Sequence, residues 1–207
     1  TTLLIPQVVD AVGAQVPVVA AGGFKDGRGL VAALAWGADG VAMGTRFLLT
    51  RESPVPDATK QRYLECKNPA DIVVSRAMDG MPQRMIMNEL LTELERASKL
   101  RKLIIAMRNG LAFRKYTGAS VVGLLKSAIA MSRSDDMTAA QAIMSANAPM
   151  IIQKAMVDGQ PARGVLPSGQ VAGVIDTLLT CEELIQSIVD EAESRLQALA
   201  ARAAVNP

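Results

Sequence analysis

This sequence contains no histidine, and only 3% of its residues are aromatic. The first absence removes the commonest general base and the commonest neutral-nitrogen metal ligand. The second, set against 50% apolar residues and 11 methionines, argues for helices packed through Ala, Leu, Ile and Met rather than for a β-sandwich. Cysteine is scarce as well. Cys66 and Cys181 stand far apart in neither a C-x-x-C nor a metal-spaced pattern, and they read as two reduced thiols of a cytoplasmic protein. No apolar run approaches the ~20 residues that a membrane span requires. The start, "TTLLIPQVV", lacks the basic region of a signal peptide. The net charge is only +2, and no Lys/Arg cluster is interleaved with aromatics. That balance argues against a nucleic-acid face. The expectation is therefore a cytoplasmic protein that contacts neither membrane nor nucleic acid.

Metal chemistry is equally poorly provided for. The acidic pair Asp135–Asp136 in "RSDDM" is the nearest thing to a cation site. Hard cations take several spaced oxygens, so the pair reads as a helix cap and no metal is expected. The 207 residues suffice for one domain or one and a half, with a substantial core. The chain opens on Thr1 rather than Met, which fits a piece of a larger polypeptide.

What is present is concentrated in residues 16–47, "VPVVAAGGFKDGRGLVAALAWGADGVAMGTRF". "VPVVAAG", 16–22, is a short valine-rich run bounded by glycine, the pattern of a buried parallel strand. "DGRGLVAALAWG", 26–37, predicts a helix, with Asp26 as its N-cap and Gly37 as its stop. "ADGVAMG", 38–44, predicts a second strand that runs into a helix at "TRFLLT". This is one β-α-β unit with minimal loops, the repeat of doubly wound sheets and (β/α)8 barrels. An unpaired apolar strand invites aggregation, so the edge at 16–22 is expected to be covered.

Both strands end in glycine. Gly22 and Gly23 expose backbone N–H groups with no Cβ in the way, and Gly44 and Thr45 stand where a strand meets a helix start. Two adjacent glycine-ended strands fit the phosphate site formed after the last two strands of a barrel. Lys25 and Arg28 follow the first turn and could contact a phosphate, though a solvated helix start is the favoured reading. Arg46 could meet an anion or pair with a carboxylate, and Trp36 reads as core.

Elsewhere the pattern is largely helical. Helices are expected over 3–12, after the prolines of "ESPVPDATKQRYLE", over 90–107, over 118–133, and over 137–159 with a break near Pro149. "DIVVSRAMDGMPQRMIMNEL", 71–90, predicts a strand, a turn at Asp79–Gly80 and then a new helix. Residues 163–180 are expected to open as a loop and become a helix. The terminal segment from Cys181 predicts a long amphipathic helix whose apolar residues Leu184, Ile188, Ala192 and Leu196 lie four apart.

The run "PVVAAGGFKDGRGLVAALAWGADGVAMGTRFLLTRES" resembles the C-terminal two strands of the nitronate monooxygenase family, FMN-dependent (β/α)8 barrels similar to the FMN-dependent enoyl reductases. "AMVDGQPARGVLPSGQVAGVIDTLLTCEELIQSIVDEAE" resembles the same family's C-terminal segment. The match covers about 1–66 and 152–193, whereas 90–150 is longer and less typical.

The resemblance implies an α/β fold, the C-terminal part of a TIM barrel with an additional helical segment. It divides the chain into the last two β/α units (1–66), a mostly helical insertion or lid (67–150) and a C-terminal loop and helix (151–207). It implies an FMN phosphate on Gly22, Gly23, Gly44 and Thr45, Ala21 beside the flavin chain, and Gly169 and Gln170 near the ring or substrate.

The implied activity is oxidation of alkyl nitronates with O₂. The alternative is NAD(P)H-dependent reduction of an enoyl or acyl-CoA type substrate in lipid or steroid breakdown. A non-catalytic phosphate-ligand binding subunit is the reading from another class. The family's catalytic histidine lies in a glycine-rich loop expected upstream of Thr1. The implied partner is thus the N-terminal half of the same barrel, as a separate chain or an upstream segment, with homo-oligomerisation left open. Relatives of inosine monophosphate dehydrogenase share such turns but use a catalytic Cys loop, and neither Cys66 nor Cys181 lies on one.

Overall fold

The computed structural model describes residues 1–98, 101 and 148–205. The chain is α/β and forms two compact units, each with its own packing. The first takes in Thr1–Pro54, Cys66–Pro69 and the chain from Gly169 onward. The second is Val55–Glu65 with the described part of Ala70–Ser168.

The first unit is organised by the expected β-α-β element. Strand β1 (Val19–Ala21) and strand β2 (Gly40–Ala42) pair in parallel, with Val19 opposite Gly40, Ala20 opposite Val41 and Ala21 opposite Ala42. Helix α1 (Leu4–Val12) precedes them, and helix α2 (Gly27–Ala35) makes the crossover. One apolar cluster joins these elements: Ile5, Ala20, Phe24, Ala33 and Ala38, with Val9, Trp36, Val41 and Met43 packed against it. Trp36 is thus partly buried against the core, as its apolar setting predicts. Helix α3 (Gly44–Leu48) starts directly from β2.

Both strands are shorter than their apolar runs. Among the described residues β1 pairs with β2 alone, and Val19 is 58% exposed. Among the described residues, therefore, no second strand lies on the other edge of β1, because a single crossover supplies only one neighbouring strand.

The second unit begins with helix α4 (Asp57–Leu64) after the two prolines. Strands β3 (Ile72–Ser75) and β4 (Gln83–Ile86) then form an antiparallel hairpin. The turn is at Asp79–Gly80 as predicted, with the Asp79 carboxylate accepting from the Met81 N–H at 2.9 Å and from Gln83 Nε2 at 2.5 Å. The helix expected directly after this turn is displaced. Residues 83–86 return along β3 instead, which buries Met85 and Ile86. Helix α5 (Glu89–Arg96) starts only where the Asn88 side chain caps it, and the chain turns extended at Ala97. Helix α6 (Ala148–Met156) carries Pro149 in its first turn, where a missing N–H costs least, and is the second of the two helices expected around that proline; the first lies outside the described residues. Ala77, Met78, Met85, Leu91, Leu94, Ala148, Ile151 and Val165 form the core of this unit. Buried Tyr63 donates its hydroxyl to Pro167 O at 2.6 Å, and burial pushes its pKa up. The helix expected over 118–133, the first half of 137–159 and the Asp135–Asp136 pair lie outside the described residues.

Residues 163–180 do not become an α-helix. Only a short 3₁₀ turn forms, Gln170–Val174, followed by an extended Ile175 and no further regular structure before the bridge at Leu179. The cause is competition for its backbone groups. Gly169 N–H bonds to Thr45 Oγ1, Thr177 O accepts from Arg46, and Leu179 O accepts from Arg51 N–H. Groups bonded sideways cannot also close helical turns.

The terminal helix, α7 (Cys181–Val205), forms as expected and packs on α2. Leu184, Ile188 and Ala192 are buried, but Leu196 is 48% exposed. Beyond Ala192 the described side chains of α7 are all exposed, whereas α2, only nine residues long, meets Ala192 at its first residue. Among the described residues no helix is long and apolar enough to cross a membrane. None of their His, Cys, Asp and Glu residues cluster in threes that could hold a metal. Cys66 and Cys181 are not joined in a disulfide.

Candidate functional site

The site develops at the C-terminal ends of β1 and β2. Parallel pairing in register brings Ala21 beside Ala42, so the two glycine turns leave the sheet side by side. Gly22 has φ 97° and Gly23 has φ 86°, a region that L side chains rarely adopt. These two glycines are required by the backbone itself. Nothing lies within 4 Å of where a Cβ would stand at Gly22, Gly23 or Gly44. The strand ends therefore face open space and leave their main chain approachable.

Behind Gly23 the chain enters α2 through Asp26. Its carboxylate accepts from Gly29 N–H at 3.2 Å and closes the first turn. It also accepts from Arg28 at 2.5 Å, and Lys25 Nζ stands 3.7 Å away. Partial burial by itself would raise the Asp26 pKa. The bonds from Arg28 and Gly29 and the charges of Arg28 and Lys25 outweigh it and hold the carboxyl below its usual range. Arg28 Nε also lies 3.3 Å from Glu191 on α7, whose other oxygen accepts from Gly27 N–H at 2.9 Å. Two cations thus meet two carboxylates, and the helix start is close to neutral.

This arrangement gives a pH prediction. A carboxyl whose folded pKa is depressed contributes stability that is fully present above its unfolded value near pH 4. The contribution is lost as pH falls through the lowered folded value. Asp26→Asn keeps a capping oxygen but cannot titrate. Thermal melts should therefore show the variant less stable than the parent at pH 7, with the gap closing toward pH 3. A gap that is constant across that range would rule out this role for the Asp26 charge.

An open cleft of about 440 Å³ lies against these residues. Gly23, Lys25, Arg28 and Gly29 form one wall, and Gln170, Val171 and Val174 form the other. Gln170 is placed there by the residue before it, since Gly169 N–H donates to Thr45 Oγ1 at 2.8 Å. Gly169 approaches so closely that a Cβ on it would come within 3.2 Å of that oxygen.

All seven residues predicted from sequence lie in this one unit. Gly23 and Gln170 line the cleft, Thr45 bonds to Gly169, Gly22 and Gly44 front open space, and Ala21 ends β1. Arg46 lies away from the opening. It is 5% exposed and donates to Thr177 O at 3.2 Å. Burial pulls its pKa down, and the Asp176 carboxylate pushes it back up. Sequence reasoning did not find Glu191, Val171 or Val174. Glu191 is 164 positions from the N–H it accepts, a separation that carries no local signal.

Three comparisons bear on this geometry. The family model described as nitronate monooxygenase matches residues 1–191. A dehydrogenase of Rhodococcus jostii (strain RHA1), named for (3aS,4S,5R,7aS)-5-hydroxy-7a-methyl-1-oxo-octahydro-1H-indene-4-carboxyl-CoA, is 52% identical over 97% of the chain and 56% of its own length. Its namesake from Mycobacterium tuberculosis (strain ATCC 25618 / H37Rv) is 48% identical over 97% of the chain and 57% of its own length. The solved structure of FabK from Thermotoga maritima is similar with a TM-score of 0.61 at 28% identity, over 98% of the chain and 51% of FabK. The chain thus spans about half the length of the curated relatives it matches.

Proposed function

Because this chain belongs to the nitronate monooxygenase family, we propose that it is the phosphate-anchoring part of an FMN-dependent oxidoreductase. Strands supplied by the N-terminal part complete a (β/α)8 barrel around it. The observation that carries the reading is the pair of adjacent parallel strands whose glycine ends face open space, two of them held at positive φ. That is a cradle a Cβ would fill, and it fits a phosphate. Backbone N–H groups of Gly22, Gly23 and Gly44 and the Thr45 hydroxyl would hold the phosphate, with Ala21 beside the flavin chain. Gly169 and Gln170 face the ring or substrate. Bound FMN supplies reversible two-electron transfer, and the protein supplies anchoring and the shape of the pocket. A histidine, if the reaction uses one as its acid–base group, would come from the N-terminal part, since this chain has none.

Two reactions suit this reading: oxidation of alkyl nitronates with O₂, and oxidoreduction of an acyl-CoA type substrate with NAD(P)H or its oxidised form. We favour the second. Identity of 52% to a carboxyl-CoA dehydrogenase extends over nearly the whole chain. The substrate is then a bulky ring-bearing thioester of lipid or steroid breakdown.

The test uses the full-length protein. It should purify with a flavin absorption spectrum and turn over a bicyclic hydroxy-acyl-CoA faster than a nitronate. Gly44→Val keeps its N–H but puts a branched side chain into the open space at the strand end. By holding the phosphate off the backbone it should weaken FMN binding by about tenfold or more, comparable to the loss of one charge-assisted hydrogen bond. Protein that takes up no FMN would instead favour a non-catalytic phosphate-binding subunit.

A further inference from the structure

The stretch Thr45–Glu52 and the segment Gly169–Cys181 lie alongside each other. Five ties hold them. Thr45 Oγ1 accepts from Gly169 N–H at 2.8 Å, and Arg46 donates to Thr177 O at 3.2 Å. Arg51 N–H donates to Leu179 O at 3.0 Å, and Thr50 forms a parallel bridge with Leu179. Glu52 Oε1 accepts from Cys181 N–H at 2.8 Å. Four of these ties stand at residues 177–181, away from the cleft. The fifth stands at the strand ends, and the residue it holds directly precedes Gln170 in the cleft wall.

From this we infer that Thr45 is a positioning residue that couples anion binding at the strand ends to the placement of Gln170. The inference rests on the reading that a phosphate occupies those strand ends. A hydroxyl has one proton and two lone pairs. The bond from Gly169 uses a lone pair, so the proton is left to donate to an anion at Gly44. A hydroxyl that donates to a charge becomes a better acceptor, because chained hydrogen bonds polarise one another. Anion binding therefore tightens the hold on Gly169 N–H and fixes the residue that follows. Gly169 is suited to this. Even a methyl group there would press on the Thr45 hydroxyl. In the empty site Gln170 has more freedom, and loading the phosphate end prepares the cleft for a second ligand.

Amide hydrogen exchange on the full-length protein, with and without FMN, tests this. In the parent, FMN should slow exchange at Gly169 and Gln170 about two- to fivefold, as expected for firming one ordinary hydrogen bond. In Thr45→Val at saturating FMN that slowing should vanish, while the amides of Gly22 and Gly23 remain slowed. Thr45→Ser should restore it. Gly169→Ala gives a second route if Thr45→Val does not fold: it pushes the segment away and should abolish the same slowing with Thr45 intact. FMN-dependent slowing at Gly169 that persists in Thr45→Val or Gly169→Ala overturns the coupling. If the parent binds no flavin, the proposed function fails first. Inorganic phosphate then serves as the probe, and a parent whose Gly169 exchange ignores phosphate overturns the coupling as well.

Discussion

Gly27→Ala should destabilise the protein by about 3 kcal/mol, the upper end of what overpacking costs. Gly27 is the first residue of α2, and α7 crosses it at backbone distance. A Cβ there would stand 2.5 Å from Ala192 N, 2.5 Å from Ile188 O and 2.8 Å from Glu191 Cβ. The first two are main-chain atoms inside a helix, so neither can rotate away. The helix itself must move outward. That would loosen the packing of Leu184, Ile188 and Ala192 and stretch the 2.9 Å bond from Gly27 N–H to Glu191. Gly29→Ala, two residues on, is the control. Its Cβ would meet Phe24 Cδ1 at 2.9 Å, a ring atom of a buried side chain that can shift slightly, where a helix backbone cannot. Replacing glycine in a helix also gains up to about 1 kcal/mol of propensity. Gly29→Ala should therefore cost much less than Gly27→Ala. Urea unfolding of both variants decides the matter. Equal midpoints would show that α7 yields freely and that the close approach holds nothing in place.

The same contrast between local and distant causes explains how much could be read from the sequence. The β-α-β unit was legible because each part is announced within a few residues: a valine-rich run, an Asp26 cap, a Gly37 stop. Gly22 and Gly23 were legible for the same reason, since positive φ is a local demand. The hairpin at 83–86 was not. "QRMIM" carries apolar residues that suit either period, and only the partner strand β3 makes it a strand. Residues 169–180 misled for a related reason. Their composition suits a helix, yet their backbone groups are taken by Thr45, Arg46 and Arg51 more than a hundred positions earlier. Glu191 belongs with these. In sequence it is one carboxylate on an acidic helix, and in the fold it braces the start of α2. Gln170 came from a family resemblance rather than from its own neighbourhood, where nothing marks it out.

The other large effect should come from Asn88, which serves three backbone groups at once. Its Oδ1 accepts from Leu91 N–H at 2.8 Å and caps α5. Its Nδ2 donates to Pro161 O and to Gly164 O, both at 2.7 Å. The residue is 4% exposed, so water cannot easily replace it. Asn88→Ala deletes the cap, worth about 1 kcal/mol. It also leaves two carbonyls in a buried setting, each costing about 1 kcal/mol or more. The expected loss is about 3 kcal/mol, read as a shift in the unfolding midpoint. Asn88→Asp separates the two parts. It keeps the capping oxygen but sets a carboxylate against two carbonyl oxygens, which raises its pKa in the folded state. A raised folded pKa in an acid means that stability is lost as pH rises through the unfolded value and regained on acidification. Protonated, the carboxyl recovers one O–H donor for one of the two carbonyls. Asn88→Asp should therefore be about as unstable as Asn88→Ala at pH 8 and visibly more stable than it near pH 5. If the two variants instead keep the same difference at both pH values, the carbonyl contacts contribute little and the cap alone accounts for Asn88.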